Sequence, residues 1–235
     1  MFPLTDEMPP RRFPVVTVAI IVACFAVWIF YELPHLRSSV NEASFYTCDV
    51  TGSCDAALPW TVSWFTAMFM HGSWSHILGN MWFLAVFGKN VEDSFGRLGY
   101  PAMYLAGGFV ATAAQAVVTV IAGTTADEKV PMLGASGAIA AVLGAYFVLY
   151  PEARILTLVL VFPARVPAWV FLGLWFLYQV IGGHMGLVSG SDEDGGTAFF
   201  AHVGGFVFGV IAAARLVKSR RRDDPFARAG RPAHA

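Results

Sequence analysis

Gly134-Ala135-Ser136-Gly137-Ala138-Ile139-Ala140-Ala141-Val142-Leu143-Gly144 places one hydroxyl at the head of a membrane-length apolar segment. Ala201-His202-Val203-Gly204-Gly205 does the same with an imidazole, 66 residues beyond the serine. Polar groups at that depth in hydrocarbon are costly, so they face the protein interior and mark function. A serine with a histidine is also the smallest kit for nucleophilic acyl transfer, the imidazole taking the hydroxyl proton. The pair points to a serine hydrolase working inside a membrane.

Composition supports the setting. Of 235 residues, 57% are hydrophobic and 13% charged, where a soluble domain carries about 25% charged residues. Mean hydropathy is +0.61. The apolar residues fall in blocks near the ~20 that cross a bilayer as helix. The reading is an all-α membrane protein of six spans: Pro14–Tyr31, Ser73–Val91, Tyr100–Ala122, Ser136–Tyr150, Val166–Gly182 and Thr197–Val217. Ile155–Phe162 is too short to cross and is expected at the interface. The first block has no small-residue cleavage site after it and reads as a retained helix rather than a signal peptide.

With the N-terminus inside, 13 of the 15 Lys and Arg residues fall on the inner side, and only Arg37 and Lys129 lie outside. Positive charge in short loops sets orientation, so both termini are expected to be cytoplasmic. The chain divides into an N-tail (1–13), a transmembrane domain (14–217) and a basic, disordered tail (218–235). Cys48 and Cys54 fall in the first outer loop, roughly Glu32 to Phe69, where an oxidising compartment would favour a small disulfide over two free thiols. The outer loop from Gly182 to Gly196, with six glycines in fifteen residues, is expected to be a flexible lid.

Spans two, four and six all begin outside, and each holds its polar residues there: His71, His76 and Asn80; Ser136; His202. Ser136, Ala140 and Gly144 form a small-residue stripe, and His202, Gly205 and Gly209 share a face. Such stripes let backbones approach closely in lipid, and packing them together would join Ser136 to His202. His76 and Asn80, at i and i+4, can aim at one oxygen. Three histidines raise a metal alternative. The outer ends of these spans offer no carboxylate or cysteine, and His-Glu-x-x-His is absent, so no metal is expected.

His71-Gly72-Ser73-Trp74-Ser75-His76-Ile77-Leu78-Gly79-Asn80, then Gly134-Ala135-Ser136-Gly137, then Ala201-His202-Val203-Gly204-Gly205 with Gly209, make the chain resemble the rhomboid intramembrane serine proteases over residues 12 to 217. The resemblance implies Ser136 as nucleophile, His202 as general base, and an oxyanion hole from His76, Asn80 and the Ser136 backbone N–H. It gives His71 a structural or water-holding role. Many members have an aromatic residue one turn after the serine, stacked on the histidine; here that residue is Ala140. The Trp-Arg pair common in the first outer loop is also missing, leaving Trp60, Trp64 or a Cys48–Cys54 bridge to anchor it.

The sequence places no acidic residue where it can orient His202, so a backbone or other neutral partner must set its tautomer. The resemblance implies single-pass membrane proteins as substrates, entering between spans two and five past Phe83, Trp169, Phe171 and Trp175. No cofactor and no nucleic acid are implied. The competing classes are an inactive rhomboid-like protein that binds membrane clients and a small transporter. The unelaborated form leads to an expectation of a bacterial cytoplasmic membrane, with the site opening to the extracytoplasmic side.

Overall fold

The computed structural model describes residues 1–159, 162–189 and 198–223. Helix α1 (Val15–Val27) continues through a π-helical turn at Trp28–Glu32 and a 3-10 turn at Leu33–His35 into α2 (Leu36–Ala43). Its start is fixed from outside. Glu92 is buried, and its carboxylate accepts the N–H groups of Val16 (3.0 Å) and Thr17 (2.8 Å) and the Thr17 hydroxyl (2.8 Å). An anion there satisfies orphan donors and complements the helix dipole.

The connection that follows is largely helical, with α3 (Thr47–Thr51), α4 (Trp60–Thr66) and a 3-10 turn at Ala67–Phe69. Next comes α5 (Trp74–Ala122), 49 residues long and about 73 Å if straight, over twice a ~30 Å hydrocarbon core. Gly96 breaks it with φ 76° and ψ 171°, a backbone region natural to glycine. The expected second and third spans are therefore its two arms. Helices α6 (Ser136–Leu149), α7 (Ala168–Ser189) and α8 (Phe199–Asp223) complete the bundle. Four helical stretches are long and apolar enough to cross a membrane: Val15–Ala43, Trp74–Ala122, Ala168–Met185 and Phe199–Arg220; Ser136–Leu149 is a shorter apolar helix.

Three expectations need correction. The protein is not purely α-helical: β1 (Phe2–Asp6), β2 (Arg154–Val159) and β3 (Phe162–Pro167) form an antiparallel sheet in that order. The short apolar run is β2, burying Ile155 and Thr157 on one face in the alternation a strand requires. Its edge partner is the supposed N-tail. Second, the segment from Gly182 is not loop as far as Ser189. It is the last turns of α7, and Gly182 and Gly183 lie under the rings of Phe199 and Phe200, where a Cβ would come within 2.6 Å and 3.1 Å. The rest of the expected lid, 190–197, lies outside the described residues. Third, α8 runs on to Asp223, so the first part of the expected disordered tail is helix; residues 224–235 lie outside the described residues.

Below the sheet a polar knot joins distant segments. Asp6 is buried, pairs with Lys89 Nζ (2.6 Å), and accepts from the Tyr146 hydroxyl (2.7 Å) and from Asn90 Nδ2. Tyr150 Oη bonds Ser94 Oγ (2.7 Å) and donates to the Asn90 carbonyl (3.1 Å), and Arg220 donates to the Ser94 carbonyl. Chain start, first arm of α5, end of α6 and end of α8 thus meet at one end of the bundle.

At the other end, α6 lies against α8 and the second arm of α5 along small residues. A Cβ on Gly205 would stand 2.2 Å from the Gly137 carbonyl oxygen, and one on Gly144 2.0 Å from that of Phe206. Gly107 faces Ala141, and Gly204 faces Ala114. These absent side chains let helices approach closely enough for dispersion contacts along their backbones.

Candidate active site

Ser136 opens α6 and His202 lies in the first turn of α8. The close α6–α8 seam brings the His202 Nε2 to 2.8 Å from the Ser136 Oγ. The start of α8 is set by Gln115 on α5, whose Oε1 accepts the Phe200 and Ala201 N–H groups at 3.1 and 3.3 Å.

Beside the serine, Gly134 has φ +124°, and a Cβ there would lie 2.8 Å from His76 Nε2 and 3.7 Å from Ser136 Oγ. Both the backbone angle and the imidazole require glycine at this position. Its N–H donates to the Ala67 carbonyl (2.8 Å). His76 sits in the first turn of α5, where the Ser73 Oγ accepts its N–H as a helix cap (3.2 Å). Asn80 follows one turn later, and its Nδ2 is inaccessible to solvent and without a hydrogen-bond partner. A buried unpaired donor normally costs ~1–3 kcal/mol. His71 is fully buried, edge-on to His76 with ring centroids 5.2 Å apart, and its backbone N–H donates to Glu32 Oε1 (2.7 Å). Burial, reinforced by neighbouring His76, pushes its pKa down to about 3, so His71 is neutral near pH 7. Glu32, read from sequence as the start of a loop, is instead a buried brace beneath His71.

Two residues on α7 complete the imidazole's surroundings. Gln179 Oε1 lies 2.8 Å from His202 Nδ1, and the Trp175 ring packs beside His202 with centroids 5.9 Å apart and planes tilted by 38°. Phe206 backs Trp175 at 6.1 Å. Ala140 is fully buried against the Gly205 position. Trp175 was expected at a gate, and Gln179 was not anticipated, although a glutamine within an apolar span is itself a signal. Of the other gate residues, Phe171 is buried and stacks on Phe87 (6.1 Å) and near Phe83 (6.5 Å), while Trp169 is exposed.

The connection between α2 and α5 grips the segment that leads into Ser136. Phe45 and Met132 exchange backbone hydrogen bonds at 3.0 and 2.8 Å. Thr51 and Ser53 donate to Glu128 Oε2 at 2.7 and 2.8 Å, and Cys48 is bonded to Cys54 with Cα atoms 5.3 Å apart. Those hydroxyls hold the Glu128 carboxyl below its ordinary value. A depressed carboxyl stabilises above its unfolded pKa and loses that contribution as pH falls through the folded value. Glu128→Gln should therefore lower the melting temperature slightly at neutral pH, and the difference from wild type should vanish in acid. Parallel melting curves from neutral pH down to about pH 3 check this.

No group of three or more His, Cys, Asp or Glu residues suited to a metal occurs among the described residues.

Residues 59–219 match the Rhomboid domain model. The chain belongs to the rhomboid family. It is 30% identical over 167 residues to RHOMBOID-like protein 12, mitochondrial, of Arabidopsis thaliana, covering 67% of this chain and 47% of that protein. Presenilin-associated rhomboid-like protein, mitochondrial, of Bos taurus is 31% identical over 148 residues, 60% of this chain and 34% of its own length. Presenilin-associated rhomboid-like protein A, mitochondrial, of Danio rerio is 36% identical over 87 residues, 37% and 22% of the two chains. This rhomboid chain thus spans less than half the length of these relatives.

Proposed function

We propose that this rhomboid protein is an intramembrane serine endopeptidase that cleaves single-pass membrane proteins with a Ser136–His202 dyad. The observation that carries the reading is the 2.8 Å approach of His202 Nε2 to Ser136 Oγ at the meeting of two apolar helices. That spacing lets the imidazole take the hydroxyl proton as the oxygen attacks a carbonyl carbon, then return it to the leaving amine. The unpaired Asn80 Nδ2, His76 and the Ser136 N–H form the oxyanion hole. A shallow recess lined by Met68, Gly108, Ala111 and Ala201 beside Ser136 takes a small side chain next to the scissile bond.

The chain crosses the membrane six times, the two arms of α5 counting separately. The chain start and the described end of α8 lie at the Asp6 knot; the distribution of Lys and Arg makes that side, with both termini, cytoplasmic, and the site opens on the other. Substrates enter between the first arm of α5 and α7, past Phe83 and Phe171. A helix must unwind there for its carbonyl to be attacked, so Gly or Pro near the cleavage point favours turnover. The polar side chains of Ser73, Ser75 and His76 mark a route for the hydrolytic water.

The test is to incubate detergent-purified protein with a model single-pass substrate and, separately, with a fluorophosphonate. Cleavage and labelling at Ser136 support the reading. Absence of both, with the substrate still captured, overturns it in favour of client binding. Asn80→Ala should lower kcat ~10²–10³-fold, the usual cost of one oxyanion donor. The melting temperature should be unchanged or higher, because the unpaired buried donor is removed, and kinetics beside calorimetry check both.

A further inference from the structure

We infer that Gln179 is the positioning residue for His202, holding the imidazole in the one tautomer that can act as a base, and that it does so from α7 rather than from either helix carrying the dyad. The inference rests on the serine-hydrolase reading above. A neutral imidazole carries a single N–H. If that proton sits on Nε2, it is donated to the Ser136 oxygen across the 2.8 Å gap and no lone pair is left to act as base. If it sits on Nδ1, Nε2 offers its lone pair to the hydroxyl. Gln179 Oε1 stands 2.8 Å from Nδ1, and a carbonyl oxygen only accepts, so this contact selects the productive form. Gln179 is 5% exposed, which shields the bond from competing water.

Trp175 precedes Gln179 by one helical turn, so both side chains reach the same ring. Trp175 packs beside the imidazole, with ring centroids 5.9 Å apart and planes tilted by 38°, and Phe206 lies 6.1 Å from the indole. Ala140 on α6 is too short to do this. Ring plane and proton position are therefore both set from α7, while Ser136 and His202 are held together by α6 and α8. A displacement of α7 would remove the acceptor without parting the dyad.

Gln179→Met keeps the length and removes the acceptor. Gln179→Glu keeps an acceptor and permits no amide flip. Fluorophosphonate labelling of Ser136 should slow about 10- to 100-fold in Gln179→Met, the order of loss for a misplaced catalytic group, with an unchanged melting temperature. Gln179→Glu should recover labelling. It should also displace the acid limb of the rate to higher pH, because a carboxylate favours the imidazolium; His76, the titratable neighbour on α5, is common to all three proteins. Nitrogen-15 NMR of labelled histidine should show His202 protonated at Nδ1 in wild type and a mixture in Gln179→Met. Wild-type labelling in Gln179→Met, or an unchanged tautomer, would overturn the inference. If wild-type protein does not label at all, the hydrolase reading falls, and the NMR comparison still decides the role of Gln179.

Discussion

Ser136→Ala is expected to abolish cleavage, and His202→Ala to lower it by a comparable factor. Loss of a nucleophile or base that work as a unit reaches about 10⁶ in kcat, because either alone leaves only binding and oxyanion stabilisation. In this protein the two side chains meet through a single 2.8 Å contact, so neither has a second route to the proton. The double variant should be no worse than either single one, the mark of residues that act jointly. Ser136→Ala should keep the wild-type melting temperature within a few degrees, since it removes one small contact, whereas His202→Ala and the double variant also lose the Gln179 and Trp175 contacts and should melt lower. Initial rates on a single-pass substrate, measured beside thermal unfolding, check both statements. Similar rates in the single variants and wild type would remove the dyad from the chemistry.

Gly209→Ala should be nearly as damaging by another route. A Cβ there would stand 1.9 Å from the Ala141 carbonyl oxygen and 2.7 Å from its carbon. Backbone cannot swing aside like a side-chain tip, so α8 must shift away from α6. Overpacking a tight interior costs ~1–3 kcal/mol and occasionally more. The shift is levered to the far end of the helices, where His202 must stay within hydrogen-bond reach of Ser136. Melting temperature and labelling rate should fall together, with labelling lost even below the transition. Gly173→Ala is the control. Nothing lies within 4 Å of a Cβ at that position, and replacing a helical glycine gains up to ~1 kcal/mol.

The meeting of Ser136 and His202 was legible because helical spacing is local: stripes of small residues can be read one span at a time. His76 and Asn80 are likewise one turn apart on a single helix, α5. The sheet was hidden because its pairing is not local; Phe2 faces Leu158 across most of the chain, and neither strand exceeds six residues. The extension of α7 was missed because glycine content signals a loop only when nothing packs on it, and here Phe199 and Phe200 do. Gln179 escaped notice for another reason. A neutral partner for His202 was expected, but nothing local ties Gln179, on a span without a motif, to the spans that carry the dyad.

The pairing of β1 with β2 also bears on when the fold can close. At about 5–20 residues per second, the ribosome needs on the order of ten seconds or more after making Phe2 before Leu158 exists. Through that interval Asp6 has no Tyr146 and β1 has no partner strand, so the leading segment waits in water while the helices insert. Registration of the sheet is then a late event that follows α6, and it fastens the beginning of the chain only after the helix bearing Ser136 is complete.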